Sequence, residues 1–192
     1  DASRARLASS MTGLPSTEGL SPMMTHYVET KLVHPQGLLF YRVGDFFELF
    51  FDDAVRAGKL LGLVCTSRQV HQGQPIPMAG VPHHALEGYV DQALEHGLHV
   101  VIVDQVEDPA QAKGIVKREV TETVTPGTVL AESLLTERKN NFLVSVVGTG
   151  VDAYAVAALD ISTGEMVVQS VPIEELRAEL GRLEPSEGLV PR

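Results

Sequence analysis

Three observations predict an α/β fold for this sequence. Between residues 21 and 130, compact apolar runs that read as strands alternate with stretches at helical spacing. Glycine and proline mark nearly every junction, and past a polar connector a second, β-rich run of different character begins. With 44% apolar residues and a mean hydropathy just above zero, the 192-residue chain can bury a substantial core. Its length suits one ordinary domain, or one domain plus part of a second.

Residues 1–20 mix Ser, Gly, Pro and small residues without an apolar period and read as a flexible tail. From 21 to 33, Met24, Tyr27, Val28, Lys31 and Leu32 fall near helical spacing, and "HPQG" stops this short helix. "LLFYRVG" (38–44) reads as a strand, "GDFFELFFDDAVRAGKLLG" (44–62) as a helix, and "LVCTSRQ" (63–69) as a second strand ending in the polar turn "HQGQP". Past "PIPMAGVP", a helix is expected over 83–96, with Leu86, Tyr89, Val90, Ala93 and Leu94 on one side and Gly97 as its stop. "LHVVIVDQV" (98–106) follows as a buried central strand. "EDPAQAKG" reads as a helical turn, and "IVKREVTETVTPG" as an edge or half-exposed strand broken by Pro126-Gly127.

After the connector, "FLVSVVGTG", "AYAVAALDISTGEMVVQSV" and "PIEELRAELGRLEP" form a β-β-α run. The expected division is therefore a tail over 1–20, a first domain over 21–131, a linker over 132–141 and an incomplete second domain over 142–192. The chain opens on Asp and closes on Leu-Val-Pro-Arg, so it reads as a piece of a longer protein, its last four residues being either native or a cleavage-tag remnant. No repeat of solenoid period and no low-complexity tract occurs.

Composition also narrows function. No apolar run reaches the roughly 18 residues that a membrane-spanning helix needs, and no charged-then-apolar signal segment opens the chain. The single Cys65 lies in the apolar run "LGLVCTS", so it reads as core filler, disulfides play no part, and a reducing cytoplasm is the expected location. The net charge of -10, from 15 basic and 25 acidic residues, argues against a basic face that binds nucleic acid through counterion release. DNA binding would need local geometry, or a clamp built elsewhere.

"GDFFELFF" (44–51) holds four of the six phenylalanines. Read as a helix turning about 100° per residue, it places Phe46 on a stripe with Leu49, Phe50, Ala54, Ala57, Leu60 and Leu61. Phe47 falls at the margin and Phe51 well outside, so periodicity nominates Phe51 as the exposed ring. Asp45 and Glu48 fit a capping box, with Asp45 as N-cap and Glu48 at N3. Position instead nominates Phe46, first in that helix and at a strand end, where open α/β sheets bind ligands. An aromatic there with an acid two residues on would suit a wedge between stacked bases.

"FYRVGDFFELFFDDA", "PIPMAGVPHHALEGYV", "DQVEDPAQAKGIVKREVTETVTPGT" and "LDISTGE" appear in the order and at the spacing of the MutS family of DNA mismatch-repair proteins. The chain resembles that family from about Met24 to its end. The resemblance implies a mismatch-binding domain with a mixed sheet flanked by helices, followed by a truncated RNase H-like connector. It maps the family's Phe-x-Glu motif onto Phe46, Phe47 and Glu48, with Phe47 variable. Phe46 is then expected to enter the minor groove and stack on the mispaired base, Glu48 to hydrogen-bond that base, and Arg42, Val43, Arg68 and Met78 to be further DNA-contact candidates. Arg42, Arg68, Lys113, Lys117 and Arg118 are the nearest local cations for phosphates.

The chain contains no GxxxxGK[ST], so no P-loop, and no cofactor or catalytic residue is expected in it. The resemblance implies an ATPase domain with ATP and Mg²⁺ further along the parent, a homodimer around mismatched duplex DNA, a MutL-type partner, and a cytoplasmic, nucleoid-associated setting. Two alternatives stand beside it. A metal-dependent nuclease would use Asp45, Glu48, Asp52, Asp53, Asp104, Glu107, Asp108 or Asp160 as oxygen ligands, although Asp160 before "STG" also suits a tight turn. A relative acting on DNA junctions would lack the Phe-x-Glu pair. His83-His84 and His96-x-x-His99 lack the partners of a metal site.

Overall fold

The structure, a computed structural model, describes residues 14–107, 116–130 and 139–191. It is mixed α/β, with two mixed sheets and four α-helices among the described residues. Contacts divide the chain into two compact units, Asp1–Thr123 and Val124–Arg192. The division falls before the expected break near 132. The segment around Pro126 belongs with the second unit because Asn141 donates to the Pro126 carbonyl at 3.0 Å and Gly127 N–H to Glu187 at 3.0 Å.

In the first unit α1 (Pro22–Val33) begins behind Ser21, whose hydroxyl accepts the Met24 N–H. β1 (Leu38–Val43) leads through Gly44 and Asp45 into β2 (Phe46–Phe50), and α2 (Phe51–Leu60) follows directly. β3 (Thr66–His71) and β4 (Gln74–Pro82) form a hairpin whose two turn residues, Gln72 and Gly73, both have positive φ, as a tight right-twisted turn demands. A single 3-10 turn (His83–Ala85), α3 (Leu86–Glu95), β5 (Val100–Gln105) and β6 (Arg118–Val124) complete the set. Strand order is β3-β4-β2-β1-β5-β6, with β1 parallel to β5 and antiparallel to β2.

Four expectations need correction. The helix expected over 44–62 is a strand followed by a helix. Gly44 at φ +58 turns the chain in two residues, so Val43 pairs with Phe46, and the phenylalanine-rich run adds to the sheet until Phe51. The capping box of Asp45 and Glu48 therefore does not exist. "PIPMAGVP", to which the sequence reading assigns no element, is most of β4. Pro75 and Pro77 lie past the end of β2, where β4 pairs with β3 alone and is itself an edge, so missing N–H groups cost least there. Cys65 is exposed rather than core, because β3 starts only at Thr66 and the apolar run before it is the exit from α2. The tail is shorter than expected: Leu14 is buried and Leu20 packs on the core.

The core of this unit joins Met24 and Tyr27 of α1 to Leu39, Tyr41, Phe50, Ile76, Val101 and Val103 of the sheet. Asp53 of α2 is buried at its edge, accepting from Lys31 at 2.8 Å, Tyr27 at 3.2 Å and the Leu39 N–H at 3.1 Å.

The second unit holds β7 (Phe142–Gly148), β8 (Ala153–Asp160), β9 (Glu165–Pro172), α4 (Ile173–Leu183) and β10 (Glu187–Leu189). β7, β8 and β9 run antiparallel and β10 joins β7 in parallel, so the expected β-β-α run is β-β-β-α-β. The turn after β8 is where the sequence places it, with Gly164 at φ +76 donating to the Asp160 carbonyl. The helical turn expected over "EDPAQAKG", Lys113, Asp108 and most of the connector lie outside the described residues.

Candidate nucleic-acid interface

Strand geometry, not helix geometry, places the Phe-x-Glu residues. Alternation turns Phe46, Glu48 and Phe50 to one face of β2 and Phe47 and Leu49 to the other. Register extends that face into rows: Val43, Phe46 and Pro82 in the first, Tyr41, Glu48 and Gly80 in the second, Phe50 and Met78 in the third. Helix α1 packs over the third row and over Tyr41 through Met24 and Tyr27. Beyond it, the first row lies at the end of the sheet.

Exposure follows from that position. Phe46 is 48% exposed, whereas Phe47 and Phe50 are at 1% and 2%, and Phe51 is partly buried against the core. Phe51, which helical periodicity nominates as the exposed ring, lies 6.1 Å from Tyr27 instead. It holds φ +54, a conformation that a bulky side chain adopts only under constraint from its surroundings.

The hairpin that carries Phe46 is braced from behind. The Phe47 ring lies between the Arg42 guanidinium, 5.2 Å from its centroid, and the His83 ring, stacked at 6.0 Å. Arg42 also donates to the Gly44 carbonyl, and His83 N–H donates to the Asp45 carbonyl at 2.8 Å. Both turn carbonyls are thus held, and the Phe46 end of β2 is fixed from the face opposite its ring. Sequence reasoning missed His83 as a brace; an aromatic just past a strand that pairs with β2 was the available signal.

The further candidates separate. Val43 and Met78 share the Phe46 face, partly buried against the core cluster. Arg42 points to the other face, engaged by Phe47, Gly44 and Asp104 at 3.8 Å. Arg68 lies in β3 at a register shift between Ser67 and Gln69, its side chain outside the described part of the structure. Arg118 sits over Tyr41, at 5.5 Å, and donates to the Arg42 carbonyl, while Lys117 pairs with Glu119.

The Tyr41 phenol, on the Phe46 face beside Glu48, is 2.8 Å from His26 Nδ1. Burial pushes the Tyr41 hydroxyl up against the lowering influence of Arg118, so it stays neutral. The acids invoked for a nuclease are dispersed: Asp53 is tied to Lys31, Glu107 accepts the Lys117 N–H, and Asp160 accepts bonds within its turn. Among the described residues no group of three or more His, Cys, Asp or Glu is placed to hold a metal ion.

The family model described as MutS domain I matches residues 21–133, and that described as MutS domain II matches residues 141–192. The chain is 51% identical over 176 residues to the DNA mismatch repair protein MutS of Acaryochloris marina, covering 91% of this chain and 20% of that protein. It is 50% identical over 181 residues to the protein of that name from Trichormus variabilis, with 94% and 21% covered. A third, from Thermosynechococcus vestitus, is 50% identical over 174 residues, with 90% and 20% covered. The chain thus spans about a fifth of the length of the curated relatives it matches.

Proposed function

Since the chain belongs to the MutS family and spans its domains I and II, we propose that it reads mispaired bases by inserting Phe46 between base steps from the minor groove. Glu48, two residues along the same strand face, hydrogen-bonds the base on which Phe46 stacks, and the duplex kinks away from the wedge. One observation carries this reading: of the four phenylalanines in 46–51, Phe46 alone stands substantially exposed, at the end of the sheet on the face it shares with Glu48.

The energetics favour mispairs without a base code. Unstacking a step costs a few kcal/mol, and a mispair lowers that cost, so deformability is what the wedge senses. Small insertion and deletion loops yield to it for the same reason. Val43 and Met78 lie along the floor of this contact, and Arg68 contributes from β3.

The net charge of -10 leaves the bulk of phosphate binding to parts of the protein beyond this chain. In the whole protein, ATP and Mg²⁺ serve a P-loop ATPase domain, two subunits enclose the duplex, and a MutL-type repair protein is recruited.

The test uses the full-length protein with G·T-mismatched and fully paired duplexes. Phe46→Ala is expected to lose mismatch preference by roughly 5- to 150-fold, the equivalent of about 1–3 kcal/mol for one stacked base. Wild-type discrimination in Phe46→Ala sinks the wedge.

A further inference from the structure

Gly80 lies next to Glu48 in the register of β2 and β4, on the face that carries Phe46, and it is exposed. A glycine inside a strand weakens it, which the fold tolerates where the backbone needs an unusual angle or where another group comes close. The first reason fails here: Gly80 does not have the positive φ of Gly44 or Gly73. Crowding within the chain fails too. A Cβ on Gly80 would stand 3.5 Å from Glu48 Cγ and 3.6 Å from the Phe47 carbonyl oxygen, both ordinary contacts. The protein accommodates alanine there and yet carries glycine. The remaining reason is a group from outside the chain.

Building on the wedge reading of Phe46, we propose that Gly80 is a specificity-determining position of the mismatch site, where bare backbone admits a deoxyribose of the kinked strand to contact with β4. The sheet is bounded there by Phe46 and Pro82 in one row and by Met78 in the other, so Gly80 is a notch between side chains beside Glu48. A wedge that enters the minor groove brings the sugars flanking the mispair down onto the strands beside it. A side chain at 80 holds those sugars off and keeps Phe46 from full insertion. Paired duplex, which does not admit the wedge, does not use the notch.

The experiment compares full-length wild type, Gly80→Ala, Gly80→Val and Phe46→Ala by equilibrium binding to G·T-mismatched and paired duplexes, with thermal unfolding of each protein. Gly80→Ala is expected to unfold at the wild-type temperature or above, to bind paired duplex as wild type does, and to lose about tenfold in mismatch affinity, with Gly80→Val losing more. Wild-type discrimination in both Gly80 variants overturns the proposal while a defective Phe46→Ala leaves the wedge standing. Wild-type discrimination in Phe46→Ala removes the wedge and the notch together. A markedly lower unfolding temperature for Gly80→Ala shows instead that the fold itself needs the glycine, and this too overturns the proposal.

Discussion

Glu48 carries the chemical half of the proposed site. A carboxylate brought against a polyanion is electrostatically unfavourable, and surrounding phosphates favour its protonated form, which can donate a hydrogen bond to a purine N7. Glutamine offers a donor at the same place without a charge. In the full-length protein Glu48→Gln is expected to keep mismatch affinity near the wild-type value, while Glu48→Ala loses roughly tenfold, about 1.4 kcal/mol. Equal losses in the two variants, measured by titration with mismatched duplex, count against a donated bond. Residue types and spacing at this site were legible in the sequence, because Phe46 and Glu48 stand two apart whatever the backbone does. Their shared face was not. On a helix, two residues apart diverge by about 200°, whereas on β2 they project together, so the geometry waited on the secondary structure.

The element that decided it, β2, had a sequence signal: a Gly-Asp pair between two apolar runs is a two-residue hairpin turn. The amphipathic stripe running through Ala54, Ala57 and Leu61 masked it, because a genuine helix begins only one residue past the strand. β4 was hidden by its prolines, which it tolerates because they lie where it is paired on one side only. α1 and α3 were legible from helical spacing closed by stop signals, and β1 and β5 from short continuous apolar runs, which the structure buries. What fixes the far end of β2 is less visible still, a buried ion pair assembled from distant positions. The Tyr27 hydroxyl accepts the Phe50 N–H at 3.1 Å and donates to Asp53, which in turn binds Lys31 and the Leu39 N–H. Removing one member strands the other charge in the core, so Asp53→Ala is expected to destabilise the first unit by about 3–5 kcal/mol. The double variant Lys31→Met with Asp53→Leu recovers much of that loss, since well-packed apolar replacements avoid the stranded charge. Urea unfolding of the three proteins measures both effects, and a loss below about 1 kcal/mol in Asp53→Ala, the worth of an ordinary hydrogen bond, means that the pair does not brace the strand.

At the scale of the molecule, each unit holds one group whose proton affinity limits stability, Tyr27 on the alkaline side of the first and Asp160 on the acid side of the second. Burial raises the affinity of the Tyr27 phenol for its proton, and the Asp53 carboxylate raises it further, outweighing the hydrogen bond with Phe50. The unfolded chain releases that proton near pH 10 while the folded unit still holds it, so stability is full below about pH 10 and falls as pH rises beyond it. Asp160 works in the other direction. Burial pushes its carboxyl up, but bonds from the Ser162 hydroxyl and the N–H groups of Asn141, Ser162 and Thr163 outweigh burial and hold it below the usual range. One carboxylate thereby ties the start of β7 to the turn between β8 and β9. The unfolded chain takes up that proton near pH 4, so the stability Asp160 supplies is complete above about pH 4 and is lost as pH falls through its lower folded value. Following the amide signals of each unit during thermal unfolding across pH separates the two effects. Alkaline loss is expected in the first unit, and Asp160→Asn is expected to flatten the acid limb of the second while leaving the first unchanged. An acid limb as steep in Asp160→Asn as in wild type means that other carboxylates, among the 25 acidic residues of the chain, set the acid limit of the second sheet.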